Sequence, residues 1–160
     1  MREQIWALLR SFGYAFCGIG YGIKTQRNLR IHLVALLTVV VFNTMAQLSV
    51  THWCIELLCC MVVISLELAN TALESACDRF SEYHPFIGHA KDAAAGAVLV
   101  SAIGSAVIAV LIFFADSDYR FHVVQILHLH VWVKYAILAG SIPAALFIFL
   151  PSVLQTRKRT

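Results

Sequence analysis

Along residues 1–25, Ile5, Leu8, Leu9, Phe12, Phe16, Ile19 and Ile23 recur at helical spacing, with Arg2, Arg10 and Lys24 interleaved. The pattern predicts an amphipathic helix lying in a membrane interface. The same periodicity also allows a cytoplasmic helix packed on the rest of the domain. Gly13, Gly18, Gly20 and Gly22 weaken it as a straight helix and predict a bend. Continuous apolar runs follow. Residues 33–50 form a first span, short for a hydrocarbon layer that takes about 20 residues to cross. Residues 53–73 form a second. Residues 79–92 are polar, with Pro85 and Gly88 as breakers, and read as a loop. Residues 93–115 form a third span without a charged side chain. In it Gly96, Val100 and Gly104, and separately Ala97, Ser101 and Ser105, are four apart, a spacing of small residues that allows close helix packing. Residues 131–150 form a fourth span, with Lys134 near its start.

One polar stripe breaks the apolar pattern. Glu67, Asn70, Glu74 and Asp78 lie at offsets of three, seven and eleven, which return to nearly the same side of a helix. A carboxylate at the bilayer centre costs at least ~2.5 kcal/mol on insertion scales, so these groups need a partner. A metal and a proton relay are the usual ones. Other polar positions have plainer readings. Asn43, Gln47 and Glu56 suit helix–helix contacts or interfacial positions. Trp6, Trp53 and Trp132 suit interfacial anchoring. His128 and His130 point to different faces of a helix, so they do not form a metal pair. His84 and His89 belong to the polar loop.

Composition fits a membrane protein. Of 160 residues, 60% are hydrophobic and 13% charged, against roughly 25% charged in soluble domains. The net charge of +3 is small and calls for no nucleic-acid partner. The cysteines (Cys17, Cys54, Cys59, Cys60, Cys77) make no Cys-x-x-Cys pair and read as small hydrophobes without a disulfide framework. Arg2, Glu3 and Arg10 interrupt the first apolar stretch, unlike a cleavable signal peptide. Arg10, Lys24, Arg27 and Arg30 precede the first span, Arg79 and Lys91 flank the 79–92 loop, and Arg157, Lys158 and Arg159 follow the fourth span. By the positive-inside rule both termini and that loop are cytoplasmic. The stripe then ends at the cytoplasmic face.

Carboxylates beside a Lys and an Arg, open to the cytosol, suit a magnesium nucleotide, because Mg²⁺ is usually held by one or two carboxylates plus substrate phosphates. A carboxylate set deeper in the apolar segment is placed to act as general base towards a hydroxyl. These are the parts phosphoryl transfer needs. Soluble kinase motifs are missing: GIGYGIKT lacks the G-K-[ST] ending of a P-loop, and no H-R-D or D-F-G set occurs. A proton or cation pathway is the other use of a carboxylate-lined membrane helix, and periodicity alone leaves both open.

RNLRIH at 27–32, ELANTALESACD at 67–78, EYHP at 82–85 and AKDAAAGAVLVSAIG at 90–104 resemble the prokaryotic diacylglycerol kinase family, most of all its undecaprenol kinase branch. The resemblance covers roughly residues 8–114. It implies an all-α integral membrane bundle with an amphipathic N-terminal surface helix and three spans, usually a homotrimer, in the bacterial inner membrane. It implies ATP as co-substrate, Mg²⁺ as cofactor, and transfer of the γ-phosphate to the hydroxyl of a membrane lipid, undecaprenol or diacylglycerol. The active site would form at subunit contacts, open to the cytoplasm. On the matching positions, Glu67 is the general base, Asn70 orients groups beside it and Glu74 ligates magnesium. Asp78, Lys91 and Asp92 contact nucleotide or phosphate, as do Arg10 and Tyr14 on the N-terminal helix. Asn28 and His32 belong to the branch's motif without an assigned step.

The chain departs from the family pattern twice. Where the family has a Glu as second magnesium ligand, immediately before the RN of the first motif, this chain has Gln26. An amide oxygen can still ligate Mg²⁺, but without the charge. The fourth span is also additional, so the chain divides into a kinase-like membrane domain, 1–115, and an extra loop and C-terminal helix, 116–160. That helix reads as an anchor or packing helix. The alternative to a kinase is a non-catalytic or ion-conducting membrane protein derived from this family.

Overall fold

The computed structural model describes residues 1–80, 85–115 and 131–149. Most of the 82–85 motif, including His84, lies outside them, as do residues 116–130, the basic run 157–159 and the side chain of Trp132. The described chain folds as five α-helices: α1 (Arg2–Thr25), α2 (Arg27–Ala46), α3 (Val50–Cys77), α4 (Pro85–Val110), which runs on into a π-helical turn at Leu111–Ala115, and α5 (Val131–Phe149). The all-α expectation holds. α2, α3 and the stretch Pro85–Phe114 are each long and apolar enough to cross a membrane.

α1 runs as one continuous helix through Gly13, Gly18, Gly20 and Gly22. Its large apolar side chains, among them Ile5, Leu8, Leu9, Phe12 and Phe16, are exposed. A surface helix needs an apolar environment on that face, and a membrane interface supplies it. The chain breaks instead at Gln26, a single extended residue (φ −108°, ψ 115°) between α1 and α2. α2 starts six residues earlier than the first span and ends at Gln47, which is left-handed (φ 51°). There the Asn43 carbonyl accepts the N–H groups of both Gln47 and Leu48, a common way to satisfy helix-end carbonyls. Ser49 then caps α3, accepting from the His52 N–H at 3.4 Å.

The loop prediction for 79–92 needs a correction. Residues 85–92 are the first two turns of α4. Pro85 opens this helix rather than breaking it, because the first helical position needs no N–H donor and suits the fixed φ of proline.

α3 is the central helix and packs most extensively on α4, then on α2. The α4 face with reduced exposure runs through Val98, Ser101, Ala102, Ser105, Ile108 and Ile112. Of the two small-residue sets, Ser101 and Ser105 therefore lie towards the bundle, while Ala97 is exposed. Gly96 and Gly104 have open space around them and do not mediate packing within the chain. Leu99, Val100, Ile103 and Val107 are exposed, as expected of a helix that faces lipid. At the far end of the bundle Ala46, Leu48 and Ile112 form a core, with Phe42, Trp53 and Phe113 against it. Trp53 is thus a packing residue. Asn43 and Glu56 are buried side by side nearby without a well-formed hydrogen bond.

At the opposite end α1 meets α2 and α3. A Cβ on Gly22 would lie 2.8 Å from Leu29 Cδ2 and 3.0 Å from Leu68 Cδ2. The α1 backbone therefore approaches these two side-chain ends closely, with room for little beyond a hydrogen unless they shift. Gly22→Ala sets a helix-propensity gain of about 1 kcal/mol against a clash with two side-chain ends that can yield, and it should leave stability nearly unchanged. Gly22→Val adds branches that cannot fit, and overpacking of this kind costs about 1–3 kcal/mol. Thermal unfolding in detergent should show a clear drop for Val and little for Ala; equal midpoints for both would contradict the packing.

Candidate active site

α3 carries the polar stripe from the apolar interior to the bundle surface. Glu67 is 2% exposed and stands ten residues before the end of α3, about 15 Å of helix. Asn70 and Thr71 are also buried, and the Thr71 hydroxyl donates to the Glu67 carbonyl at 2.8 Å. A turn further on, Glu74 is half-buried. Both of its oxygens accept from amides: Oε1 from Asn70 Nδ2 at 3.0 Å and Oε2 from Gln26 Nε2 at 3.1 Å. Last comes Asp78, exposed, with Lys91 Nζ of α4 2.6 Å from its Oδ1. That pair is open to solvent, where an ion pair contributes little to stability, so it fixes orientation more than it holds the fold.

Gln26 reaches Glu74 because the corner between α1 and α2 lies over α3. Tyr21, five residues earlier, brings its hydroxyl to 3.4 Å from Ser75 Oγ. The structure thus gathers Gln26, Asn70 and Glu74 in one network and Asp78 with Lys91 in a second, one turn away. Asp92 is exposed and projects about 100° around α4 from Lys91. Arg10 and Tyr14 stand apart. They lie sixteen and twelve residues before Gln26, about 24 and 18 Å back along α1, and Arg10 lines a shallow surface cleft with Glu3 and Trp6. Among the described residues no hydrogen bond or ion pair joins either to the carboxylates.

The sequence model of the prokaryotic diacylglycerol kinase family matches residues 13–113. The chain belongs to this family. Among its relatives, an undecaprenol kinase of Bacillus subtilis (strain 168) is 39% identical over 113 residues, which cover 70% of this chain and 92% of the relative. A diacylglycerol kinase of Synechocystis sp. (strain PCC 6803) is 39% identical over 114 residues, covering 68% of this chain and 65% of that longer protein. A diacylglycerol kinase of Escherichia coli (strain K12) is 30% identical over 97 residues, covering 60% of this chain and 80% of the relative. No solved structure matches significantly.

In this diacylglycerol kinase family member the Glu74 network has the donor types that magnesium takes. No three His, Cys, Asp or Glu side chains converge among the described residues, but Mg²⁺ is commonly bound through one or two carboxylates, with phosphates and water completing the shell. Asn70 Oδ1 is buried without a partner among the described residues, and Gln26 has a second amide atom to offer. Amide orientation follows the hydrogen-bond network, so both side chains can turn oxygen towards a cation. Glu74, Asn70 and Gln26 therefore fit such an ion.

Three side chains, Tyr21, Ser75 and Arg30, escaped the sequence reading. Tyr21 and Ser75 carry a signal in hindsight: Tyr21 lies seven residues after Tyr14, on the same helical face, and Ser75 follows Glu74. Arg30 lay in the RNLRIH motif, but its role depends on a helix more than a hundred residues away.

Gln26→Glu should reveal the network directly. It removes the donor to Glu74 and sets a second negative charge about 3 Å away, where like charges disfavour one another. The variant should melt lower than the parent without divalent ions and gain more from added Mg²⁺. Equal Mg²⁺-induced shifts in both proteins would argue against a cation site here.

Proposed function

We propose that this protein is an ATP-dependent membrane lipid kinase that transfers the γ-phosphate of Mg-ATP to the hydroxyl of a lipid alcohol. The family is one of lipid kinases, and the observation that carries the finer reading is the depth profile of the stripe. Glu67 is buried, Glu74 half-buried and Asp78 exposed on one helix. A lipid hydroxyl arrives from the bilayer and a nucleotide from the water. Ordered in this way, the base sits where the alcohol arrives and the nucleotide contacts sit where ATP does.

Each side chain then has a task. Glu67 accepts the proton of the lipid hydroxyl as its oxygen attacks the γ-phosphorus; the bond to the bridging oxygen breaks and ADP leaves. Asn70 holds Glu74 in place. Glu74 and Gln26 are the protein ligands for magnesium, which when bound neutralises charge on the phosphate oxygens. Lys91, held by Asp78, offers its ammonium group to phosphate, with Asp92 beside it at the nucleotide. Arg10 and Tyr14 are distant within one chain, so their nucleotide contacts would be made to a neighbouring subunit of a homotrimer. The protein would lie in the bacterial inner membrane with this end at the cytoplasm, on the side favoured by its Arg and Lys residues.

The resemblance of the RNLRIH motif to the undecaprenol kinase branch favours undecaprenol as the lipid over diacylglycerol. The deciding assay supplies both lipids side by side to the full-length protein in vesicles, with labelled ATP and Mg²⁺. Undecaprenol should be labelled preferentially. Glu67→Gln should lower turnover by about 10²–10⁴-fold, the range for loss of a general base, with the melting temperature retained. Gln26→Glu should raise turnover at limiting Mg²⁺. If neither the parent nor Gln26→Glu labels either lipid, the kinase reading fails, and carboxylate-dependent ion flux becomes the function to measure.

A further inference from the structure

α5 lies outside the matched residues, yet its end is tied to the candidate active site. Arg30 is 4% exposed and stands in the first turn of α2, four residues after Gln26. Its Nη1 donates to the Ile23 carbonyl at 2.9 Å, in the last turn of α1 and three residues before Gln26. Its Nε donates to the Ile148 carbonyl at 3.3 Å, in the last turn of α5. One guanidinium therefore crosses the corner that bears Gln26 and closes the end of a helix that arrives from the far part of the chain. α2 is the helix on which α5 packs most extensively.

The chemistry favours this arrangement. The last four carbonyls of a helix have no partner within it, and in an apolar setting an unsatisfied carbonyl is costly. A cation there also complements the helix dipole. Arg30 does this for α1, and with the same group it holds a carbonyl in the last described turn of α5. A guanidinium is a planar fork whose donors point in fixed, different directions, so a lysine cannot hold both carbonyls in the same geometry.

We infer that α5 is a strut for the active site, and that Arg30 is a positioning residue which couples the strut to Gln26. The corner is a single extended residue, and Gln26 leaves it to reach Glu74. A neutral ligand has no charge to draw it onto a cation, so its contribution depends on where it is held. α5 supplies part of that hold from outside the family's matched region. The inference rests on the reading of Glu74 and Gln26 as a magnesium site.

The test uses the full-length protein in lipid bilayers, with Arg30→Gln, Arg30→Lys and Phe147→Ala. Phe147 is half-buried in α5, and its truncation loosens the strut without touching Arg30. Two quantities are read: amide hydrogen exchange along α5 and at the corner, and the Mg²⁺ concentration for half-maximal lipid phosphorylation. In Arg30→Gln, exchange in the last turn of α5 and around Gln26 should quicken by roughly tenfold or more, the expected loss for a charged hydrogen bond, while the middle of α4 stays protected. The Mg²⁺ requirement should rise about three- to tenfold, with turnover at saturating Mg²⁺ within about twofold of the parent, a split that marks lost positioning rather than lost chemistry. Arg30→Lys should fall between, and Phe147→Ala should shift both readouts in the same direction. Unchanged exchange in α5, or a loosened α5 with an unchanged Mg²⁺ requirement, overturns the strut. If the parent phosphorylates no lipid, the kinase reading falls separately. Exchange then decides the strut alone: the corner must loosen in Phe147→Ala as well as in Arg30→Gln.

Discussion

The structure depends on how the Glu74 carboxylate is satisfied. It leaves an apolar helix half-buried, and an ionised carboxylate with no donors there would be heavily penalised. Each oxygen instead takes one amide N–H, from Asn70 on its own helix and from Gln26 on the corner. The first is a local matter of i, i+4 spacing. The second is a tertiary demand: the corner has to lie over α3, so α1 comes close, and Gly22 packs there against the side-chain ends of Leu29 and Leu68. A surface helix, a chain break and a glycine are thus all explained by one acceptor that needs a second donor.

The same helix sorts chemistry by depth. Eleven residues separate Glu67 from Asp78, about 16 Å of rise, and over that distance the surroundings pass from closed to open. On the proposed reading, a carboxylate that takes a proton from a lipid alcohol belongs where water does not compete for it, and groups for a nucleotide belong where the nucleotide is dissolved. One helix that runs from a buried to an exposed setting already provides such a division. α4 adds the cation: Lys91 comes from its second turn, and Asp78 fixes it there.

Periodicity alone showed the N-terminal helix, the first three spans and the stripe, since each is a pattern of the chain on itself. Glu67, Asn70, Glu74 and Asp78 share a face for the reason their offsets gave. What the pattern missed is of two kinds. Residues 85–92 read as a loop because polar residues around Pro85 and Gly88 resemble a breaker cluster, although proline at a first helical position favours a start. The glycines of α1 read as bends, but only Gly22 has a packing role, and which glycine meets a neighbour is a tertiary fact. Arg30 was beyond reach for the same reason. Its partner, the Ile148 carbonyl, is set by how helices pack, and nothing in the local sequence marks a backbone carbonyl as an acceptor.

Gln26 is where these strands meet. A carboxylate at this corner, as the family pattern has it, would face Glu74 with like charge whenever no cation lies between them. The corner would then be held by the ion it binds. With an amide the relation reverses: Gln26 donates to Glu74, and the corner is closed by its own hydrogen bond. On the proposed magnesium reading, the arrangement gives up charge towards the metal and gains a preformed site. A site of that kind is sensitive to how firmly the corner is fixed. In this chain Gly22, Leu29, Leu68 and Arg30 converge on that corner, and Arg30 extends the connection to α5.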